Sequence, residues 1–217
     1  MIKKTFKKRL INLFTSFIIL LNLLSIPSTS YSEQNQILKK IETYFNNMES
    51  LEAKFTQLDH SGNITFGRVL ISKPGKIRFE YNSPSMLLIV GDGKYVTYYD
   101  EKIGQITQIA MKRLPIQFLL NKDFSFKKNN FFIENMELKG NVISLTLNNP
   151  ESDFAGKVTL LFEQNPIILR KWIIEDSHGF ITRVSLQNIN IDVEIDHSLF
   201  KFDDKLLDNK DRQFLPD

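Results

Sequence analysis

The sequence predicts a mainly β protein: a single antiparallel sheet, strongly curved or barrel-like, with a few helices. Three observations carry this. About ten short runs alternate apolar with polar residues or are apolar throughout, and turn residues separate them. Only one run, just after residue 32, has apolar residues at helical spacing over several turns. No linker, composition shift or repeat in the range of roughly 20–50 residues breaks the series, so one domain is read.

The helix is Glu33–Asn47, with Ile37, Leu38, Ile41, Tyr44, Phe45 and Met48 on one stripe; Asn46-Asn47 and Ser50 end it. Leu51–Leu58 alternates, and Ser61-Gly62-Asn63 turns it into Ile64–Ser72. Lys73-Pro74-Gly75-Lys76 is the next turn, because Pro presets φ and Gly supplies a left-handed position. Ile77–Tyr81 puts Ile77, Phe79 and Tyr81 on one face and Arg78 and Glu80 on the other. Ser83-Pro84 breaks it. Met86–Val90 is apolar on both faces and reads as a strand covered on both sides. Asp92-Gly93 then turns the chain into Lys94–Tyr99. Phe131–Leu138, Val142–Leu147, Val158–Phe162, Leu169–Glu175 and Ile181–Ile189 follow as strands. Leu114–Asn121 reads as a short helix with Pro115 at its first position, and Asp196–Phe200 as one helical turn. Leu114–Leu120 is apolar nearly all round, so it is either an ordinary core helix or a cover over the mouth of a curved sheet.

Residues 1–32 read as a secretory signal peptide. Lys3, Lys4, Lys7, Lys8 and Arg9 precede the apolar stretch Leu10–Leu24, and Ser30-Tyr31-Ser32 gives a small-x-small cleavage site. Asn12, Thr15, Ser16 and Asn22 interrupt the apolar stretch, which falls short of the ~20 apolar residues of a spanning helix. Cleavage after Ser32 leaves a domain of residues 33–217 with 23 basic and 25 acidic residues, against 28 and 25 in the whole chain. The overall positive charge thus belongs to the leader and is no argument for nucleic acid as a partner. Zero cysteine excludes disulfides, thiolate metal sites, cysteine catalysis and an N-terminal lipidated Cys.

Catalytic signatures are missing. No G-x-S-x-G, H-E-x-x-H or Walker loop occurs, and Gly91-Asp92-Gly93-Lys94 is a hairpin turn without the spacing of a phosphate loop. His60, His178 and His197 fall in separate predicted turns, and Asp203-Asp204 with Asp208 make no calcium loop. No enzyme, metal or cofactor is read.

Several segments, in order, resemble the periplasmic outer-membrane lipoprotein carrier (LolA-type) family. Ala53-Lys54-Phe55-Thr56-Gln57 resembles its A-x-F-x-Q strand. Gly67 followed by Leu70-Ile71-Ser72-Lys73-Pro74-Gly75 resembles its G-x-[LI]-x-[VI]-x-[KR]-P-G segment. Phe79–Pro84, Val90–Lys94 with Tyr98-Tyr99-Asp100, and Asp176–Gly179 with Thr182 and Leu199–Phe202 resemble later motifs. Leu114–Leu120 sits where the family has its lid helix. The match runs from about Glu33 to Phe202; Lys73 replaces a usual Arg, and Lys205-Leu206-Leu207-Asp208 stands where a proline-rich stretch is usual.

The resemblance implies an unclosed antiparallel β-barrel of about eleven strands with helices over its open face. It implies acylated lipoproteins as cargo, an inner-membrane ABC-type release complex as donor, an outer-membrane acceptor as recipient, and a periplasmic monomer. Its lipid-binding cavity would be lined by Ile77, Phe79, Tyr81, Ile89, Ile116, Phe118, Leu119 and Leu120. One strand alone does not say which sheet face is concave. Lys73 would be a latch bonding lid-helix carbonyls, partly exposed and worth on the order of 1 kcal/mol or less; otherwise it is a solvated turn residue. Arg78 is the runner-up. The rival readings are a lipid or lipoprotein sensor, a generic lipid-binding half-barrel, the outer-membrane acceptor itself, and an esterase.

Overall fold

The computed structural model describes residues 31–149, 153–203 and 213–214. Residues 1–30 of the expected signal peptide 1–32, and the segment 205–208, lie outside these residues. The chain divides at Ile37 into two units. The described part of the first is the opening of helix α1 (Tyr31–Asn47); the rest of that helix and the whole sheet belong to the second, Leu38–Asp217.

Among the described residues twelve strands form one sheet: β1 (Ser50–Leu58), β2 (Ile64–Ser72), β3 (Lys76–Tyr81), β4 (Leu87–Asp92), β5 (Tyr95–Asp100), β6 (Gln105–Ala110), β7 (Phe132–Lys139), β8 (Val142–Asn148), β9 (Gly156–Glu163), β10 (Ile168–Asp176), β11 (Ile181–Ile191) and β12 (Gln213–Phe214). Their order is β12-β6-β5-β4-β3-β2-β1-β11-β10-β9-β8-β7. The first eleven pair antiparallel; β12 adds to β6 in parallel. β6 and β7 do not pair, so the sheet is not closed into a barrel. Hairpins build each half because short loops suit antiparallel neighbours. The long pairing of β1 with β11 joins the halves. Residues 111–131 carry the chain from one end of the sheet to the other.

The expected strands are present, and besides the two-residue β12 one more, β6, was not expected. Its two large apolar residues, Ile106 and Ile109, are three apart and fall on opposite faces, so Gln105–Ala110 has no period-two signal. The helix expected over Leu114–Asn121 is not an α-helix. The chain makes a 3-10 turn at Met111–Arg113 and another at Gln117–Leu120, with i to i+3 bonds such as Leu119 N to Ile116 O at 3.0 Å. The run is short, Pro115 lacks a donor, and packing on its neighbours rather than propensity sets its path. At Asp196–Phe200 the expected single turn forms as a 3-10 helix, His197–Phe200, capped by the Asp196 carboxylate.

β4 is covered on both sides. Ile89 (inner) and Val90 (outer) are both buried. The outer cover is the 3-10 turn His197–Phe200, where Arg78 Nη1 donates to Leu199 O at 2.8 Å and Phe200 is buried.

Candidate functional site

Phe79 on β3 and Trp172 on β10 are four strands apart, roughly 19 Å along a flat sheet. Their ring centroids are nonetheless 6.3 Å apart. The sheet therefore curls, and the face bearing Ile77, Phe79 and Tyr81 is the concave one. Cross-strand pairing puts Ile89 opposite Phe79 and Tyr98 opposite Ile89 on the same face. Phe55 touches Phe79 (5.4 Å between centroids) and Tyr81 (4.9 Å). Its ring fits because the facing residue is Gly67, where a Cβ would stand 2.6 Å from it. The lining continues through Leu186, Trp172, Leu160 and Leu145, all buried. Polar atoms are few. The Tyr81 hydroxyl donates to Gln57 Oε1 at 2.9 Å, and burial raises its pKa.

Two covers occupy this concavity. The first is the C-terminal part of α1, where Ile41 and Phe45 are wholly buried and Phe45 meets Phe162 of β9. The second is the crossing segment 111–131. Leu114, Ile116, Phe118, Leu119, Leu120, Phe124 and Phe126 are all buried in it. Phe124 joins the covers, with its ring 5.1 Å from Phe45 and 5.8 Å from Phe118. Asn46 clamps the backbone of Phe124, and Glu42 Oε1 accepts from Phe126 N at 2.9 Å. Beside Leu114 and Phe118, against Leu147 and Val158, a cavity of about 40 Å³ remains, room for a few water molecules at most.

The turn after β2 touches both covers. Gly75 N donates to Leu120 O at 3.0 Å, holding the crossing segment. The Lys73 ammonium donates to Phe45 O, at the end of α1. The bond expected between Lys73 and a carbonyl of 114–121 is thus made by a backbone N–H two residues on, and the Lys73 side chain serves the other cover. Nor is Lys73 a solvated turn residue: it is 8% exposed. Burial pushes its pKa down to about 8, against the pull of the Glu49 and Asp192 carboxylates. A hydrogen bond from a buried charge belongs to a stronger class than the exposed contact expected, about 1.5–3 kcal/mol, but it is set against desolvation.

Of the residues singled out from sequence, Ile77, Phe79, Tyr81 and Ile89 share the concave face, and Ile116, Phe118, Leu119 and Leu120 are buried in the crossing segment. Arg78 lies on the opposite face, bonded to Glu80 and Leu199. Sequence reasoning missed Phe55, Trp172, Phe124, Asn46 and Glu42. The alternation of Phe124 and Phe126 was a usable signal; the polar clamps gave none. It also missed that His60 and His178 come together, stacking with Phe180 at 4.4 and 6.0 Å between centroids. Among the described residues no three His, Cys, Asp or Glu side chains are grouped to hold a metal ion. Nor is any described helix long and apolar enough to cross a membrane.

An unclosed, curled antiparallel sheet with an apolar concave face and two covers defines an open half-barrel. The family profile described as "Outer membrane lipoprotein carrier protein LolA" matches residues 46–203, and the chain belongs to that family. An uncharacterised protein of Rickettsia prowazekii is 29% identical over 173 residues, covering 80% of this chain and 79% of its own. An outer-membrane lipoprotein carrier protein of Nitrosospira multiformis is 29% identical over 198 residues, covering 86% of this chain and 92% of its own. Among solved structures, a LolA superfamily protein from Nitrosomonas europaea aligns with TM-score 0.47 at 12% identity, covering 77% of this chain and 97% of that one.

Proposed function

We propose that this protein is a periplasmic carrier, exported by a signal peptide over residues 1–32, whose domain 33–217 sequesters lipoprotein acyl chains. It takes its cargo from an inner-membrane release complex and hands it to an outer-membrane acceptor. The observation that carries this reading is a continuous apolar concave face whose covers are fixed by scattered polar bonds, among them Lys73 to Phe45, Gly75 to Leu120, Asn46 to Phe124 and Glu42 to Phe126. Acyl chains enter by displacing the covers and taking their place against Phe79, Tyr81, Ile89 and Trp172.

The energetics suit a carrier that must also let go. The eight buried apolar side chains of the crossing segment, Met111 among them, are worth about 12–24 kcal/mol of apolar burial. An acyl chain of roughly fifteen methylenes gains about 12 kcal/mol on leaving water. Closing the covers again therefore returns part of the roughly 36 kcal/mol that the three chains of a triacylated anchor gain, which eases release to an acceptor. Lys73 acts as a latch on α1 in the covered form. Mass spectrometry of the protein purified from its own periplasm tests the reading. Bound triacylated lipoprotein supports it, whereas bound free fatty acid alone makes this a generic lipid-binding half-barrel.

A further inference from the structure

Charge is unevenly placed along this chain. The crossing segment, residues 111–131, holds five basic residues (Lys112, Arg113, Lys122, Lys127, Lys128) and one acidic, Asp123. The remainder from Glu33 onward holds 18 basic and 24 acidic. A cationic strip thus lies on one element of an otherwise acidic domain. Lys122, Lys127 and Lys128 are exposed and form no ion pair with a described residue, while Lys112 pairs with Asp153 at 3.0 Å. The apolar side chains between these cations, Leu119, Leu120, Phe124 and Phe126, are buried against the sheet and α1. Cations face out and large apolar groups face in on a segment held by a handful of polar bonds. Released from the sheet, such a segment has the make-up of an interfacial amphipathic element.

We propose that the crossing segment is a membrane-surface switch, in which Lys122, Lys127 and Lys128 bind anionic phospholipid headgroups and the apolar residues beneath them leave the concave face for the interface. The inference rests on the carrier role proposed for the concave face: it names the surface that opens the cover. A lipid surface is favoured over an acidic protein because the strip alternates cations with Leu and Phe. Headgroups accept the first and the acyl boundary the second, whereas an acidic protein face accounts only for the cations. Each cation near an anionic surface is worth a factor of about five in binding, so three together give on the order of a hundredfold.

The test uses the exported protein recovered from the periplasmic fraction, titrated with vesicles of pure phosphatidylcholine or with phosphatidylglycerol mixed in. Cosedimentation reads binding. Emission of Trp172, the single tryptophan and a buried concave-face residue, reads opening. The expected result is binding to phosphatidylglycerol vesicles with a change in Trp172 emission, lost in high salt. The Lys122→Gln/Lys127→Gln/Lys128→Gln variant should bind about a hundredfold more weakly, with unaltered Trp172 emission in buffer. Equal binding to both vesicle types, undiminished binding by the triple variant, or binding to neither, as an acidic protein partner would give, overturns the proposal. A soluble triacylated peptide, added without vesicles, separates this from the carrier reading. Wild type and triple variant should bind it alike; failure of both to bind it sinks the carrier reading while leaving the vesicle result to stand or fall alone.

Discussion

Asn46 and Phe124, 78 residues apart, are joined by two hydrogen bonds: the Asn46 amide donates to Phe124 O at 3.0 Å, and its carbonyl accepts from Phe124 N at 2.7 Å. One side-chain amide thereby satisfies both backbone groups of the residue where the two covers meet. Asn46→Leu leaves that N–H and C=O without partners in a part-buried place, and a loss of about 1–3 kcal/mol is expected. Asn46→Asp keeps the acceptor and should fall between. Urea denaturation of the three proteins gives the order, and hydrogen exchange at the Phe124 amide should quicken in step. Unchanged exchange in Asn46→Leu would mean that the clamp does not hold the cover.

Much of this arrangement was legible in the sequence, and the reason is periodicity. Ile77, Phe79 and Tyr81 had to share a face whichever way the sheet curled. The curl itself was not legible, because it is a relation between β3 and β10 that no single strand carries; the Phe79–Trp172 contact supplies it. The 114–121 run showed that it must be covered but not its helix type, since a segment apolar all round has no periodic stripe. Asn46 and Glu42 were invisible for a different reason. A polar residue on a helix that bonds a distant backbone looks the same in sequence as one facing water.

Phe79 is the centre of the concave aromatic cluster, in contact with Phe55, Tyr81 and Trp172. Phe79→Ala should cost about 3–5 kcal/mol and shift the emission of Trp172, whose neighbour is lost. Phe79→Leu keeps most of the volume and should retain binding of a triacylated peptide. A folded Phe79→Glu variant should lose it, since a carboxylate in this face must be desolvated. Full peptide binding by folded Phe79→Glu would remove the concave face from the proposed site.

Gly91 sets where the crossing segment begins. A Cβ there would lie 2.7 Å from Met111 Cε and 2.8 Å from Ile77 Cγ2. Gly91→Ala should therefore destabilise by about 1–3 kcal/mol. Met111 is flexible and its tip is one of the two obstacles, so Gly91→Ala with Met111→Ala should cost less than the two single changes added together. Strict additivity in thermal or urea denaturation would show that Met111 does not press on this position.

Lys73 predicts a particular dependence of stability on pH. Its folded pKa is about 8 and its ordinary value 10.5, so both states carry the charge at lower pH and burial is then a full cost to the fold. Between about pH 8 and 10.5 the unfolded chain binds the extra proton, and stability rises with pH across that window. Buried Tyr81 and Tyr98 act the other way. Burial raises both, Tyr98 to about 12, so above pH 10 the unfolded chain loses those protons first and stability falls. A wild-type curve should climb from pH 8 and turn over near pH 10. Lys73→Met has no ammonium to bury and should lack the climb while keeping the tyrosine fall. Lys73→Arg keeps a donor for Phe45 O but stays charged throughout, so it too should lack the climb. Subtracting the Lys73→Met curve from wild type isolates the lysine, because the tyrosines are common to both. A climb of equal size in Lys73→Met would place its origin elsewhere and leave the Lys73 ammonium without the buried role assigned to it.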